Sequence, residues 1–273
     1  MRAPPTCSNW PMTSCEGAEW TWVCGKGVTE LEGADRSGGL EVSNTHDAVL
    51  LDLFGTLVDF QSVFLYTLKR VLVDHDLMAR AEEFRTRWQR FVFQGQSDGE
   101  FITVRDDFIR SLKTVLESHD CDGDLHSYSK TVITDMFEGL RQADLFPEVP
   151  AVIASIEGAS IPWGVVSNVD EVDLQAILTN QRFRPTIVVS SERVRSYKPE
   201  GHIFLTALEE LSLPASRVVH VGDSPLADVA GATRAGLGTV WVNRYGGKYP
   251  LDLPAPGWTM TELSGLPGLL LGD

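Results

Sequence analysis

The chain has 273 residues, enough for one large domain or two modest ones with a full core. Its 38 acidic and 23 basic residues give a formal net charge of −15, which repels a phosphodiester backbone, and without a local basic patch nucleic acid is not an expected partner. No apolar run approaches the length of a bilayer span, and Cys7, Cys15, Cys24 and Cys121 lack CxxC spacing, so no membrane, zinc site or disulfide framework is expected and a reducing cytoplasm is the default.

Residues 1–45 hold Pro4, Pro5, Pro11, scattered glycines and three of the four cysteines with neither helical nor strand period, the pattern of a disordered leader. Trp10, Trp20 and Trp22 point the other way, since aromatic residues are depleted in disorder. An apolar run, Ala48-Val49-Leu50-Leu51, then ends on Asp52 and is followed by Gly55-Thr56. A buried parallel strand that delivers a carboxylate to the C-terminal edge of a sheet has this form.

Residues 60–146 read as helices. Val63, Leu65, Leu68, Val71 and Leu72 form one apolar stripe, and Phe84, Trp88, Phe91 and Val92 a second, with Arg85, Arg87 and Arg90 on its solvated side. Phe101, Val104, Phe108, Ile109, Leu112, Val115 and Leu116 form a third stripe. Tyr128, Val132, Ile133 and Met136 form a weaker fourth. Asp120 to Asp124 has the acidic start of a calcium loop but no closing glutamate, and reads as a turn.

From 147 onward helices and strands alternate. A helix is expected over Val149–Ile156, and a strand over Trp163–Val166 ending on Ser167-Asn168. A helix over Asp173–Leu178 and a strand over Thr186–Val189 follow, then a helix over Ile203–Leu211. A strand over Val218–Val221 ends on Gly222-Asp223, and a helix over Asp228–Ala235 leads to a final strand, Thr239–Val242, and a loop tail. Alternation of this kind predicts right-handed βαβ crossovers and a parallel sheet. His220 lies inside an apolar strand and reads as a core histidine satisfied by a neighbour.

Three strand ends thus offer Asp52, Ser167-Asn168 and Asp223 to one edge, with Lys198-Pro199 and Asp228 close in sequence to the last two. A carboxylate of this kind can act as a nucleophile, a second one invites Mg²⁺, and a hydroxyl, backbone N–H groups and a lysine suit the oxygens of a phosphoryl group. Each residue alone also reads as a turn former, a solvated charge or a first-turn acid of a helix.

In this order and spacing the chain resembles the haloacid dehalogenase (HAD) superfamily. Its four motifs match Asp52-Leu53-Phe54-Gly55-Thr56-Leu57-Val58-Asp59, Ser167-Asn168, Lys198-Pro199 and Gly222-Asp223-Ser224-Pro225-Leu226-Ala227-Asp228. The resemblance implies an α/β fold with a Rossmann-like parallel sheet over 46–59 and 147–273, and a helical cap of the C1 type over 60–146. It implies Asp52 as nucleophile and Ser167, Asn168 and Lys198 around the anionic group of a small-molecule substrate. It also implies Mg²⁺ on Asp52, the Phe54 carbonyl and Asp223, with Asp228 in support.

One position departs from the family's phosphatases. They carry an aspartate two residues after the nucleophile as general acid and base, and here that residue is Phe54. The family's 2-haloacid dehalogenases place an aromatic there and work without Mg²⁺, yet their fourth motif usually lacks the Gly-Asp pair found at 222–223. The expectation is therefore an atypical Mg²⁺-dependent phosphohydrolase. The alternatives are dehalogenase-like hydrolysis and a weakly catalytic binding protein.

Overall fold

The computed structural model describes residues 46–94 and 100–272. The expected leader, with its tryptophans and Cys7, Cys15 and Cys24, lies outside the described residues. The first strand, β1 (Ala48–Leu51), is wholly buried, as its unbroken apolar run requires of a strand covered on both faces. The chain continues through α1 (Phe60–Asp74), α2 (Ala81–Gln94), α3 (Val104–Glu117) and α4 (Leu125–Arg141). It then returns through α5 (Val149–Gly158), β2 (Trp163–Ser167), α6 (Glu171–Asn180), β3 (Ile187–Ser190), α7 (Ser191–Val194) and α8 (Gly201–Leu211). Next come β4 (Val218–Gly222), a π-helical turn over Pro225–Ala230, α9 (Gly231–Arg234), β5 (Gly238–Val242), β6 (Trp258–Met260) and α10 (Leu266–Leu271).

All six strands are parallel, in the order β3-β2-β1-β4-β5-β6. The α/β architecture expected from the sequence is the one found. Strand order reverses at β1, so the ends of β1 and β4 flank the crevice where open α/β sheets bind ligands. Alternate residues of β1 face opposite layers: Val49 and Leu51 pack with α5, α6 and α10, whereas Ala48 and Leu50 pack with Ile203, Phe204 and Ala207 of α8.

Two departures from the sequence reading stand out. The tail forms a sixth strand and a closing helix where only a loop was expected. The helix expected from Asp228 starts earlier, at Pro225, with Ser224 as its N-cap accepting from the Ala227 amide at 3.1 Å.

Helices α1–α4, inserted between β1 and β2, form a helical cap around a separate apolar cluster that includes Phe64, Phe84, Trp88, Phe108, Leu112 and Phe137. Phe91 of the second expected stripe is exposed, and Phe101 lies in the loop before α3. Asp59, Thr103 and Asp124 cap α1, α3 and α4, so the acidic run at 120–124 ends as a helix cap. Arg85 is largely buried and pairs with Glu82 at 2.6 Å, so it is not on a solvated face, whereas Arg87 is more exposed and donates to Ser118 at 3.0 Å. No described helix is long and apolar enough to cross a membrane.

The cap is tied to the sheet layer by buried polar contacts. Asp170, just past β2, accepts from the Val104 and Arg105 amides at 2.7 and 3.0 Å and so satisfies the start of α3. The fully buried Asp173 side chain accepts from Arg105 at 2.8 Å and from Arg141 at 2.7 Å. Tyr197 stacks on Phe101 with ring centroids 4.9 Å apart and donates its hydroxyl to the Ile102 carbonyl. Removing one member of a buried charge cluster leaves the others uncompensated. Asp173→Asn is therefore expected to destabilise the protein by roughly 3 kcal/mol, read in urea as a lower midpoint at an unchanged slope.

Candidate active site

Asp52 follows the last residue of β1, Ser167 ends β2, Asp223 follows β4, and Asp228 lies in the helical turn beyond it. Asp52, Asp223 and Asp228 each place a carboxylate oxygen within 4.8 Å of the other two. The sequence-predicted carboxylates therefore do converge, although 171 positions separate Asp52 from Asp223.

Lys198 is the centre of this group. Its ammonium donates to Asp52 Oδ1 at 2.6 Å, to Asp228 Oδ1 at 2.6 Å and to the Val166 carbonyl at 3.0 Å, which engages all three of its hydrogens. Burial opposes its charge, but Asp228 and Asp52 outweigh that and hold its pKa above the ordinary lysine value. Asn168 fixes the lysine backbone from both sides: Asn168 Nδ2 donates to the Lys198 carbonyl at 3.1 Å, and the Lys198 amide donates to Asn168 Oδ1 at 2.8 Å. The Asn168 side chain is thus spent on joining β2 to Lys198. The Ser167 hydroxyl donates to Asp52 Oδ1 at 2.8 Å.

Burial also pushes Asp228 upward, but Lys198 and His220 outweigh it and keep the carboxyl well below the usual carboxylate range. Asp228 Oδ1 lies 2.9 Å from His220 Nε2, and Asp228 Oδ2 accepts from the Ser224 amide at 2.9 Å. Asp52 is raised, chiefly by burial and further by Asp228, with Lys198 opposing. Asp223 is raised well above its ordinary value by burial and by the charges of Asp52 and Asp228. With all three carboxyls ionised, one ammonium leaves two negative charges, a deficit that one divalent cation would remove. The donor set is all oxygen, as a hard cation such as Mg²⁺ prefers.

Two glycines make room for these acids. Gly55 adopts φ +80°, and a Cβ there would lie 2.2 Å from Asp223 Oδ2. A Cβ on Gly222 would lie 2.1 Å from Asp228 Cγ. Phe54 is partly buried, 5.7 Å from the ring of Phe60, and packs against both the sheet and cap clusters. It brings no proton donor to the site.

His220 is the buried core histidine expected from the sequence: its partner is Asp228, and its ring packs on Phe204 with centroids 5.0 Å apart. Two other contributors carry no motif. Trp241 donates to the Asp223 carbonyl at 2.9 Å, and Arg244 donates to the Gly55 and Thr56 carbonyls at 3.1 and 2.7 Å. For Arg244 the available signal was its place just beyond β5, at the same sheet edge as the other strand ends.

The raised pKa of Asp223 has a thermodynamic sign. A carboxyl whose folded value exceeds its unfolded one costs stability once pH rises past the unfolded value, near 3.8. The Asp223 contribution to the stability of metal-free protein therefore falls as pH rises above that point, while that of Asp228, held low, has the opposite sign. Asp223→Asn is expected to raise the melting temperature of metal-free protein at about pH 7 by roughly 2–4 °C and to have no effect near pH 3, as measured by calorimetry in chelator.

The sequence model of the haloacid dehalogenase-like hydrolases matches residues 46–236, which contain all of these residues except Arg244 and Trp241. Pyrimidine 5'-nucleotidase YjjG of Escherichia coli is 26% identical over 229 residues, covering 82% of this chain and 97% of its own. The (S)-2-haloacid dehalogenase of a Pseudomonas species (strain YL) is 24% identical over 225 residues, covering 79% and 90%. Among solved structures, magnesium-bound YfnB of Bacillus subtilis superposes with a TM-score of 0.68 at 19% identity, covering 83% and 99%. With the matched region spanning the greater part of the chain, this protein belongs to the haloacid dehalogenase-like hydrolases.

Proposed function

We propose that this chain is a divalent-cation-dependent phosphohydrolase that acts on a small phosphorylated metabolite through Asp52. The observation that carries the reading is the convergence of the buried Asp52 and Asp228 with the half-buried Asp223, which one ammonium leaves undercompensated. Carboxylates crowded together without enough positive charge are costly, and a bound divalent cation would relieve that cost. The nucleotidase activity named for YjjG and the magnesium named for YfnB support the same reading.

In this reading Asp52 Oδ1 is held by Ser167 and Lys198, and Oδ2 attacks phosphorus. The bond from phosphorus to the leaving oxygen breaks, and that oxygen departs with the electron pair. Water then attacks phosphorus, the bond from phosphorus to Asp52 Oδ2 breaks with its electron pair returning to the carboxylate, and phosphate leaves with the proton of the attacking water passing to a phosphate oxygen or to solvent. Lys198, its hydrogens on Asp52, Asp228 and the Val166 carbonyl, supplies positive charge beside the phosphoryl oxygens, and Ser167 orients Asp52, with the Asn168 main chain next to them. Mg²⁺, held by Asp52, Asp223 and the Phe54 carbonyl and supported by Asp228, would neutralise the approaching anions.

Phe54 shapes the substrate range. With no acid to protonate the leaving oxygen, the site favours leaving groups that are stable as anions, as in acyl and aryl phosphates. The same residue, packed on Phe60, favours the second reading, displacement of halide from a 2-haloacid by Asp52, the reaction named for the Pseudomonas relative. A panel of phosphate esters and 2-haloacids, with and without Mg²⁺, separates the two. Mg²⁺-dependent release of phosphate from an aryl phosphate, abolished in Asp52→Asn, is expected. Halide release that ignores Mg²⁺ would favour the alternative. Phe54→Asp should raise turnover of an alkyl phosphate by roughly 10²–10⁴-fold, and an unchanged rate would show that the missing proton donor is not what limits it.

A further inference from the structure

Two stretches of chain connect the sheet to the helical cap, and they are bonded to one another. The Asp59 amide donates to the Asp144 carbonyl and the Phe146 amide to the Leu57 carbonyl, each at 3.1 Å. Arg244, two residues past the end of β5, reaches both stretches. On the first it donates Nε to the Gly55 carbonyl and a terminal nitrogen to the Thr56 carbonyl. On the second it pairs with Glu148 at 2.7 Å and lies over the Phe146 ring, 3.6 Å from its centroid. Its side chain is only 8% exposed, so these are desolvated contacts. A planar guanidinium can donate in its plane and stack on its face at the same time, and an ammonium cannot.

The contacts converge on the peptide groups that follow the nucleophile. The Gly55 amide, in the same planar group as the Phe54 carbonyl, donates to the Val58 carbonyl at 2.8 Å. The next carbonyl, that of Gly55, accepts from Arg244. Gly55 is therefore held on both sides, and its bare Cα face lies against the Asp223 carboxylate with no space for a methyl group. Trp241, three residues before Arg244, holds the Asp223 carbonyl from the other direction. The segment beyond β5 thus fixes both members of the Gly55–Asp223 contact.

We infer that Arg244 is a positioning residue for the cation site: by clamping the Gly55 and Thr56 carbonyls to Glu148 and Phe146, it sets the affinity of the Asp52–Asp223 pair for a divalent cation. This inference rests on the cation-dependent reading above. Residues that orient metal ligands from behind typically change affinity by roughly 10–100-fold when altered. Arg244→Lys keeps the charge but cannot keep two carbonyls, a carboxylate and a ring face together.

The test is Mg²⁺ titration calorimetry at 25 °C on the full chain, comparing the natural protein, Arg244→Lys and Asp223→Asn. Arg244→Lys should bind Mg²⁺ at least tenfold more weakly, and Asp223→Asn should show no binding heat. A purely structural arginine would lower the melting temperature of the metal-free variant and leave its Mg²⁺ affinity unchanged, which would overturn the inference. Absence of Mg²⁺ binding to the natural protein would overturn the cation reading and this inference with it. A second measurement needs no variant: Mg²⁺ should slow hydrogen exchange of the amides at 55–58 in the natural protein. Exchange there that is indifferent to bound Mg²⁺ would overturn the coupling of this loop to the cation site.

Discussion

The Lys198 ammonium, with its hydrogens on Asp52, Asp228 and the Val166 carbonyl, joins groups from β1, β2 and the turn beyond β4. Withdrawing an ammonium and a carboxylate from water costs several kcal/mol per ion unless each finds close, well-directed partners. Here every lysine hydrogen has an acceptor, and Asp228 also has the Ser224 amide and His220. That satisfaction holds Asp228 ionised, and the same crowding raises Asp223. The cluster is thus organised in advance, with Asp228 neutralised internally.

The backbone makes this concentration of charge possible. Parallel strands bring their C-terminal ends to one edge, and the reversal of strand order at β1 opens the crevice between Asp52 and Asp223. Gly55 and Gly222 then let backbone and carboxylate approach closer than any Cβ would permit. The cap completes the enclosure through Asp170, Asp173 and Tyr197, which follow or precede Ser167-Asn168 and Lys198 by only a few residues. Cap docking and the arrangement of the loops that carry Ser167 and Lys198 are therefore mechanically joined.

The sheet was legible because parallel strands covered on both faces are short apolar runs, and β1, β2 and β4 end abruptly on polar residues. The cap helices were legible from their 3.6-residue stripes, with Phe91 as the exposed exception. The edge strand Trp258–Met260 was not, since it is three residues long and only half covered, with neither a run nor an alternation to mark it. The start of the helix at Pro225 carried a local signal, Ser at the N-cap before Pro, which the weight given to Asp228 obscured. Trp241 and Arg244 act through contacts between separate segments, and periodicity carries no information about those. Arg244 meets Gly55 across 189 positions of sequence.

The substitution of Phe54 for a proton donor gives the central claim a direct handle. If Asp52 attacks phosphorus and no general base hastens the return step, the aspartyl phosphate should accumulate during turnover of an acyl phosphate. Acid-quenched protein, digested and weighed by mass spectrometry after mixing with acetyl phosphate and Mg²⁺, should carry one phosphoryl group on the peptide containing Asp52. The Asp52→Asn protein should carry none. Phosphate release with no adduct at Asp52, undiminished in Asp52→Asn, would contradict the account.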